Sequence, residues 1–288
     1  MKKDPCWLSE FRQDTYSQTG EDGVLEKILT TLPVKDNWCV EFGAWDGQHL
    51  SNTKKLVKDS GYSSILIEGD ASKFENLKDY YSGNSKVITL NRYVGFEDHN
   101  SLDCILADTP ITVDFDLLSI DIDGNDYHVW KALKKYQPKV VIIEFNPTIP
   151  TEASFIQPAD STICQGSSLL SLVDLAKSKG YSLICVLPFN AIFVKSELFD
   201  LFEIEDNNPK ILRTDFSNVT YIFSGYDGSI FLDGYKKLPW HGVSLSQEKL
   251  QVLPRYLRKH PHYYNKLQKV VFNILTCPIQ CIKKHFFH

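Results

Sequence analysis

From residue 37 onward, short apolar runs alternate with amphipathic stretches, and five of those runs end in an acidic residue or Asn. That rhythm marks successive strand–helix units, and hence an α/β fold with a mostly parallel sheet carrying helices on both faces. Strands are expected at 37–42, 64–67, 87–90, 115–120 and 140–143. The last of these is uniformly apolar, as befits a strand buried on both faces. Helices are expected at 50–60, ended by Gly61, at 72–81, and at 126–136, stopping before Pro138. A loop rich in Ser, Thr and Pro then leads into a helix at 167–179, ended by Gly180. Runs at 181–187 and 191–194 bring the sheet to seven strands.

The pattern divides the chain into an N-terminal segment (1–36), a main α/β domain (37–240) and a tail (241–288). Within the main domain, residues 219–223 and 229–232 flank Tyr226, Asp227 and Gly228 and read as an accessory hairpin with Asp-Gly turn chemistry. Net charge is -5, yet residues 249–288 hold eight Lys or Arg and no Asp or Glu, leaving the rest near -13. An acidic main body argues against a nucleic-acid partner, since phosphate recognition leaves a basic footprint. In the tail, Leu267, Val270, Val271, Ile274, Leu275, Ile279, Ile282 and Phe286 recur at three and four with lysines between them, as in a basic amphipathic helix. Pro278 is expected to break or kink it. Such a helix can lie on a membrane surface, meet another subunit, or dock on its own domain.

Seven scattered cysteines, several inside apolar runs, point to a reducing, cytoplasmic compartment, with membrane-surface attachment through the tail left open. Cys277 and Cys281, four apart, could meet a metal or a lipid chain, or simply pack. No apolar h-region follows Lys2 and Lys3, and no stretch approaches the ~18 apolar residues of a membrane span.

In an open parallel sheet, ligands bind beyond the carboxyl ends of the strands. Those ends read Glu41-Phe-Gly-Ala-Trp-Asp-Gly47, Glu68-Gly-Asp70, Asn91, Asp121-Ile-Asp-Gly-Asn-Asp126 and Glu144-Phe-Asn146. A dinucleotide wants G-x-G-x-x-G at the first turn, with backbone N–H groups free to hold a pyrophosphate. Two carboxylates there would repel a pyrophosphate but suit a ligand carrying an ammonium group and a ribose, as S-adenosylmethionine does. Glu68, roughly 20 residues beyond the small-residue turn, is placed to accept from both ribose hydroxyls.

The elements VEFGAWDG, ILIEGD, LLSIDIDGNDYHVW and VVIIEFNP, preceded by YSQTGEDG at 16–23, resemble class I S-adenosylmethionine-dependent methyltransferases of the FkbM-like type. The resemblance covers residues 14–195. It implies a Rossmann-like seven-stranded sheet and O-methylation, often of sugars, and so a small-molecule or glycan acceptor. By the same resemblance, Glu41, Gly43 and Asp46 line the methionine end of the cofactor, Glu68 holds its ribose and Asn91 lies near the adenine. Ser17 and Gln18, in the 1–36 segment, close over the site.

The residues themselves add a metal alternative. If the fourth and fifth strands are neighbours, Asp121, Asp123, Glu144 and Asn146 converge, and hard oxygen donors of this kind suit Mg2+. Equally, Asp121 can contact the cofactor, Asp126 cap the following helix and Asp123 satisfy turn N–H groups. Without a metal, Asp121, Glu144, His49, His128 and His241 are the candidate bases, with His241 in the compact PWHG motif. Asp121-x-Asp123 also fits a phosphatase or a glycosyltransferase using a divalent metal. Those readings leave YSQTGEDG, the first turn and Glu68 unexplained.

Overall fold

The computed structural model describes residues 2–286, with side chains through residue 276. The chain divides into two compact units, Met1–Phe216 and Ser217–His288.

The first unit is built on a seven-stranded sheet. Its strands are β1 (Trp38–Phe42), β2 (Ser63–Glu68), β3 (Val87–Asn91), β4 (Leu117–Ile120), β5 (Val140–Glu144), β6 (Tyr181–Val186) and β7 (Asn190–Lys195), in the order β3-β2-β1-β4-β5-β7-β6. The first five run parallel, and β7 is antiparallel to both neighbours. Successive connections run outward from β1 to β3, then return to place β4 on the other side of β1. That reversal opens a crevice at the carboxyl ends of β1 and β4, where ligands of such sheets sit.

Alternation along the strands sends side chains to two cores. Val40, Phe42, Ile65, Ile67, Leu118, Ile120, Val141 and Ile143 pack on one face. Cys39, Leu66, Leu117, Val140, Ile142 and Val194 pack on the other. Trp130 fills the first core against Phe193 and Tyr181, with ring centroids 5.2 and 5.8 Å away. Burying such a side chain is worth on the order of 1.5–3 kcal/mol or more.

Helices α1 (Glu21–Thr31), α2 (Lys54–Asp59), α3 (Ala71–Tyr81), α4 (Leu102–Leu106), α5 (Asp126–Ala132), α6 (Leu169–Ser178) and α7 (Pro209–Leu212) complete the unit. α1 lies in the segment that periodicity from residue 37 onward leaves unread, although Val24, Leu25, Ile28 and Leu29 are buried at helical spacing. Several elements are shorter than their patterns predict. Leu50 takes φ +53°, outside the right-handed helical region, and α2 starts at Lys54 and not at residue 50, with Glu41 accepting from Asn52 N–H just ahead of it. Asp103 accepts from the N–H groups of Lys134, Lys135 and Tyr136, so α5 stops at Ala132. β4 starts at Leu117 and not at residue 115, and just before it the Asp116 carboxylate accepts from Asp36 N–H, Asn37 N–H and Lys139 Nζ.

The second unit holds the hairpin β8 (Thr220–Ser224) and β9 (Ile230–Gly234), with Phe223 stacked on Phe231. Gly228 takes φ +79° in the turn, where Asp227 accepts from Ser229 N–H and Oγ. Helix α8 runs from Lys266 to Phe286 without a break at Pro278. Proline removes one backbone bond, and a 21-residue helix retains its bonds on either side. The side chains of Cys277 and Cys281 lie outside the described residues. Among the described residues, no helix is long and apolar enough to cross a membrane.

Candidate functional site

Register brings the strand ends together. Phe42 pairs with Ile67 on one side and Ile120 on the other, so the residues that follow, Gly43, Glu68 and Asp121, share one edge. Gly43 takes φ +72°, and a Cβ there would lie 1.9 Å from the carbonyl oxygen of Asp121. Only glycine lets the first turn cross the fourth strand this closely.

Two of the acidic residues expected at the cofactor are engaged within the protein. Glu41, buried, accepts from Ser51 Oγ and Thr53 Oγ1 at 2.6 Å and from Asn52 N–H at 2.9 Å. Burial raises its pKa, while those donors pull the other way. It pins the 51–53 loop under the first turn. Asp46 accepts from Gln48 N–H and His49 N–H and pairs with His49 Nδ1 at 2.8 Å, fixing the turn; its pKa is lowered by these donors against the opposing effect of partial burial.

Glu68 bridges two turns, accepting from Trp45 N–H at 2.8 Å and Asp70 N–H at 2.7 Å, one bond per oxygen. Each carboxylate oxygen has capacity for a second donor, which fits a ribose presenting two hydroxyls. Asn91 donates from Nδ2 to the Glu68 carbonyl, tying β3 to this corner. Asp70 caps α3, accepting from Ser72 and Lys73 N–H.

Across the crevice, Asp121, Asp123 and Glu144 each bring a carboxylate oxygen within 4.8 Å of the others. Ile120 pairs with Ile143, so β4 and β5 deliver Asp121 and Glu144 side by side. Asp123 reaches the cluster from a turn in which it holds φ +57°, a left-handed conformation costly for a residue with a side chain. Asp126 sets that turn by accepting from Ile122 N–H and Gly124 N–H at 2.9 Å. Desolvation, followed by the neighbouring carboxylates, pushes both Asp121 and Glu144 well above the ordinary carboxylate range. The charge of Asp121 beside it makes Glu144 harder still to ionise. Asn146 does not join them. Its Oδ1 accepts from Thr148 N–H and Oγ1 and its Nδ2 donates to the Gln165 carbonyl, so its amide is spent on the local loop.

The N-terminal segment spans this edge. Glu21 Oε1 accepts from Asn190 Nδ2 at 3.0 Å, and Tyr16 lies against Lys54, whose Nζ is 4.6 Å from the ring centroid. Asp22 gathers the N–H groups of Thr15, Tyr16 and Ser17, holding the loop in shape. Ser17 is buried within it and Gln18 is exposed. Asn190 is a site residue that sequence reading missed. It pairs with Glu144 across β5 and β7, is buried, and its Oδ1 has no hydrogen-bond partner among the described residues. The only signal was a polar residue opening an apolar strand.

The histidines His49 and His128 of the first unit are engaged locally. His128 Nε2 lies 2.7 Å from the Gln157 carbonyl oxygen, and its ring packs on Phe96 and Tyr127. His49 is engaged with Asp46. His241 is exposed, in the 3-10 helix Pro239–His241 of the second unit.

Residues 51–183 match the family model described as the methyltransferase FkbM domain. No curated protein matches the chain. Among solved structures, the N-terminal domain of EvdMO1 with SAH bound is 11% identical with a TM-score of 0.40, over 65% of this chain and 82% of that one. A SAM-dependent methyltransferase from Aquifex aeolicus is 12% identical with a TM-score of 0.38, over 67% of this chain and 100% of that one. The citrinin polyketide synthase CMeT domain is 10% identical with a TM-score of 0.42, over 65% and 52%. The matched segment runs from the loop pinned by Glu41 through β2 to β5 and into β6, taking in the glutamate corner and the acidic turn, and over that segment the chain is similar to the FkbM-like, S-adenosylmethionine-dependent methyltransferases of class I.

Proposed function

We propose that this enzyme transfers a methyl group to a hydroxyl oxygen of a small sugar-like or glycan-linked acceptor. The cofactor then lies along the ends of β1, β2 and β3, and the acceptor over the carboxylate cluster. The observation that carries this reading is the convergence of Asp121, Asp123 and Glu144 within 4.8 Å, directly across the crevice from Glu68.

S-adenosylmethionine, when bound, supplies an electrophilic methyl carbon on a sulfonium that leaves as a neutral thioether. The remaining work falls to the chain. Glu68 accepts from the ribose hydroxyls, and Asn190 Oδ1, an unused buried acceptor beside Glu144, is available to an ammonium or a hydroxyl. An acceptor hydroxyl must lose its proton as its oxygen attacks, and an ionised member of the Asp121–Glu144 pair can take it. A carboxylate whose proton affinity is raised toward neutral pH is a better base than an ordinary one. Glu41 and Asp46 act as positioning residues that hold the loops around the crevice. The segment 14–23, with Ser17 and Gln18, covers the edge between Asn190 and Lys54.

The three carboxylates also fit a divalent cation such as Mg2+, which takes hard oxygen donors and keeps water in its remaining positions. Asp121, Asp123 and Glu144 would hold it, and it would lower the pKa of a bound hydroxyl. Asn146 lacks the free oxygen to take part.

Calorimetric titration with S-adenosylhomocysteine, with and without Mg2+, tests the arrangement. Micromolar binding is expected, weakened by about 1–3 kcal/mol in Glu68→Ala, which strands the ribose hydroxyls. Unchanged affinity in that variant would mean the cofactor lies elsewhere. Full turnover in excess chelator would remove the cation while leaving O-methyl transfer intact.

A further inference from the structure

We propose that α8 lays its apolar face on an anionic lipid surface and so holds the protein peripherally at a membrane. The start of the helix is fixed by a reciprocal cap: Gln268 N–H donates to Asn265 Oδ1, and Asn265 N–H donates to Gln268 Oε1. One side of the helix is anchored within its own unit. Phe272 packs on Tyr264 with ring centroids 5.4 Å apart, and Gln268 Nε2 donates to the Tyr256 carbonyl at 2.7 Å. Another side carries Leu267, Val270, Ile274 and Leu275, which are 73, 55, 67 and 48% exposed. Single exposed apolar residues are ordinary, but a stripe repeating at three and four along a helix is an interaction surface.

Charge names the occupant. Residues 249–288 carry eight Lys or Arg and no acid. Lys266 and Lys269 interleave with the stripe at its start, and Lys283 and Lys284 follow in the sequence. An anionic headgroup layer satisfies both features at once: acyl chains take the stripe and headgroups take the lysines. Tyr256 and Tyr263, beside the base of the helix, are 56 and 72% exposed, and tyrosine is a residue type enriched where apolar and wet layers meet. Among the described residues, no helix is long and apolar enough to cross a bilayer, so the helix lies on the surface.

Flotation of the full chain with phosphatidylcholine vesicles, with and without phosphatidylserine, tests this. The chain is expected to float with anionic vesicles, to be released by salt, and to stay behind with neutral ones. Lys266→Gln/Lys269→Gln should weaken partition roughly 30-fold, at about five-fold per lysine. Val270→Glu/Ile274→Glu should abolish it while leaving S-adenosylhomocysteine affinity unchanged, a check that the first unit is intact. Equal flotation on neutral vesicles, or undiminished flotation of the glutamate variant, would overturn the proposal. So would a dimer in sedimentation that depends on Ile274 and does not float, because the stripe would then be a contact between copies.

Discussion

In the first unit Phe42, Ile67, Phe193 and Ile143 are fully enclosed, whereas in the second Tyr226, Val252, Tyr263 and Leu267 stand 72 to 95% exposed. Polar groups show the converse. The first unit buries Glu21, Asp22, Glu41, Asp116 and Asp126, and each takes backbone or side-chain donors that shape a loop. In the second, charge stands at the surface and is of one sign from residue 249 onward. A sheet covered on both faces has room to enclose carboxylates and supply them with donors, so its charges become geometry. A small unit around a two-stranded hairpin encloses little, so its apolar residues stay available to something outside the chain.

Three substitutions test this contrast. The largest effect on stability is expected at Phe193, which is fully buried against Trp130; Phe193→Ala should cost about 3–5 kcal/mol in denaturant unfolding of the first unit. A cost below about 1 kcal/mol would mean that the core is looser than its packing implies.

Next comes Asp121→Asn, where function and stability should move in opposite directions. Methyl transfer is expected to fall by at least about 100-fold, the usual worth of a positioned acid–base group. Stability should rise. A carboxyl whose folded pKa lies above its unfolded value costs nothing below the ordinary carboxylate range and penalises the fold increasingly as pH climbs toward the folded value. Metal-free parent protein should therefore lose thermal stability as pH rises from about 4 to neutrality, and the Asn variant should lose less. Mg2+ that binds the cluster should reverse the loss. A variant that melts below the parent at neutral pH in metal-free buffer would count against the crowded-carboxylate account.

The smallest effect belongs to the second unit. Ile274→Gln should change stability by no more than about 0.5 kcal/mol, since a side chain already 67% exposed gives up little on folding. A larger loss would show that the stripe packs within its own chain.

The positions of the strands along the chain were readable from the alternation of apolar runs, because a buried parallel strand must be apolar and its crossover helix must be amphipathic. The strand-end carboxylates were readable for the same reason: an acidic residue directly after such a run has one place to go. The helix ends were not readable, because Asp103 and Glu41 take backbone donors at the ends of helices far from them in sequence. Nor was the division of labour among the acids. Glu41 and Asp46 share a turn with Gly43 and read as ligand contacts, yet neighbouring donors occupy them. Asn146, two residues beyond Glu144, is taken by its own loop.

What the sequence determined by itself is the α/β class, the edge of the sheet at which chemistry is sited, and the basic amphipathic character of the tail, since each is a matter of periodicity and local charge. Only the tertiary structure decided which carboxylates meet, that Asn190 stands beside Glu144 with an unused oxygen, and that Glu21 of the N-terminal segment accepts from Asn190. Those facts depend on strand register and on hydrogen bonds between residues as far as 169 positions apart, which no local pattern encodes.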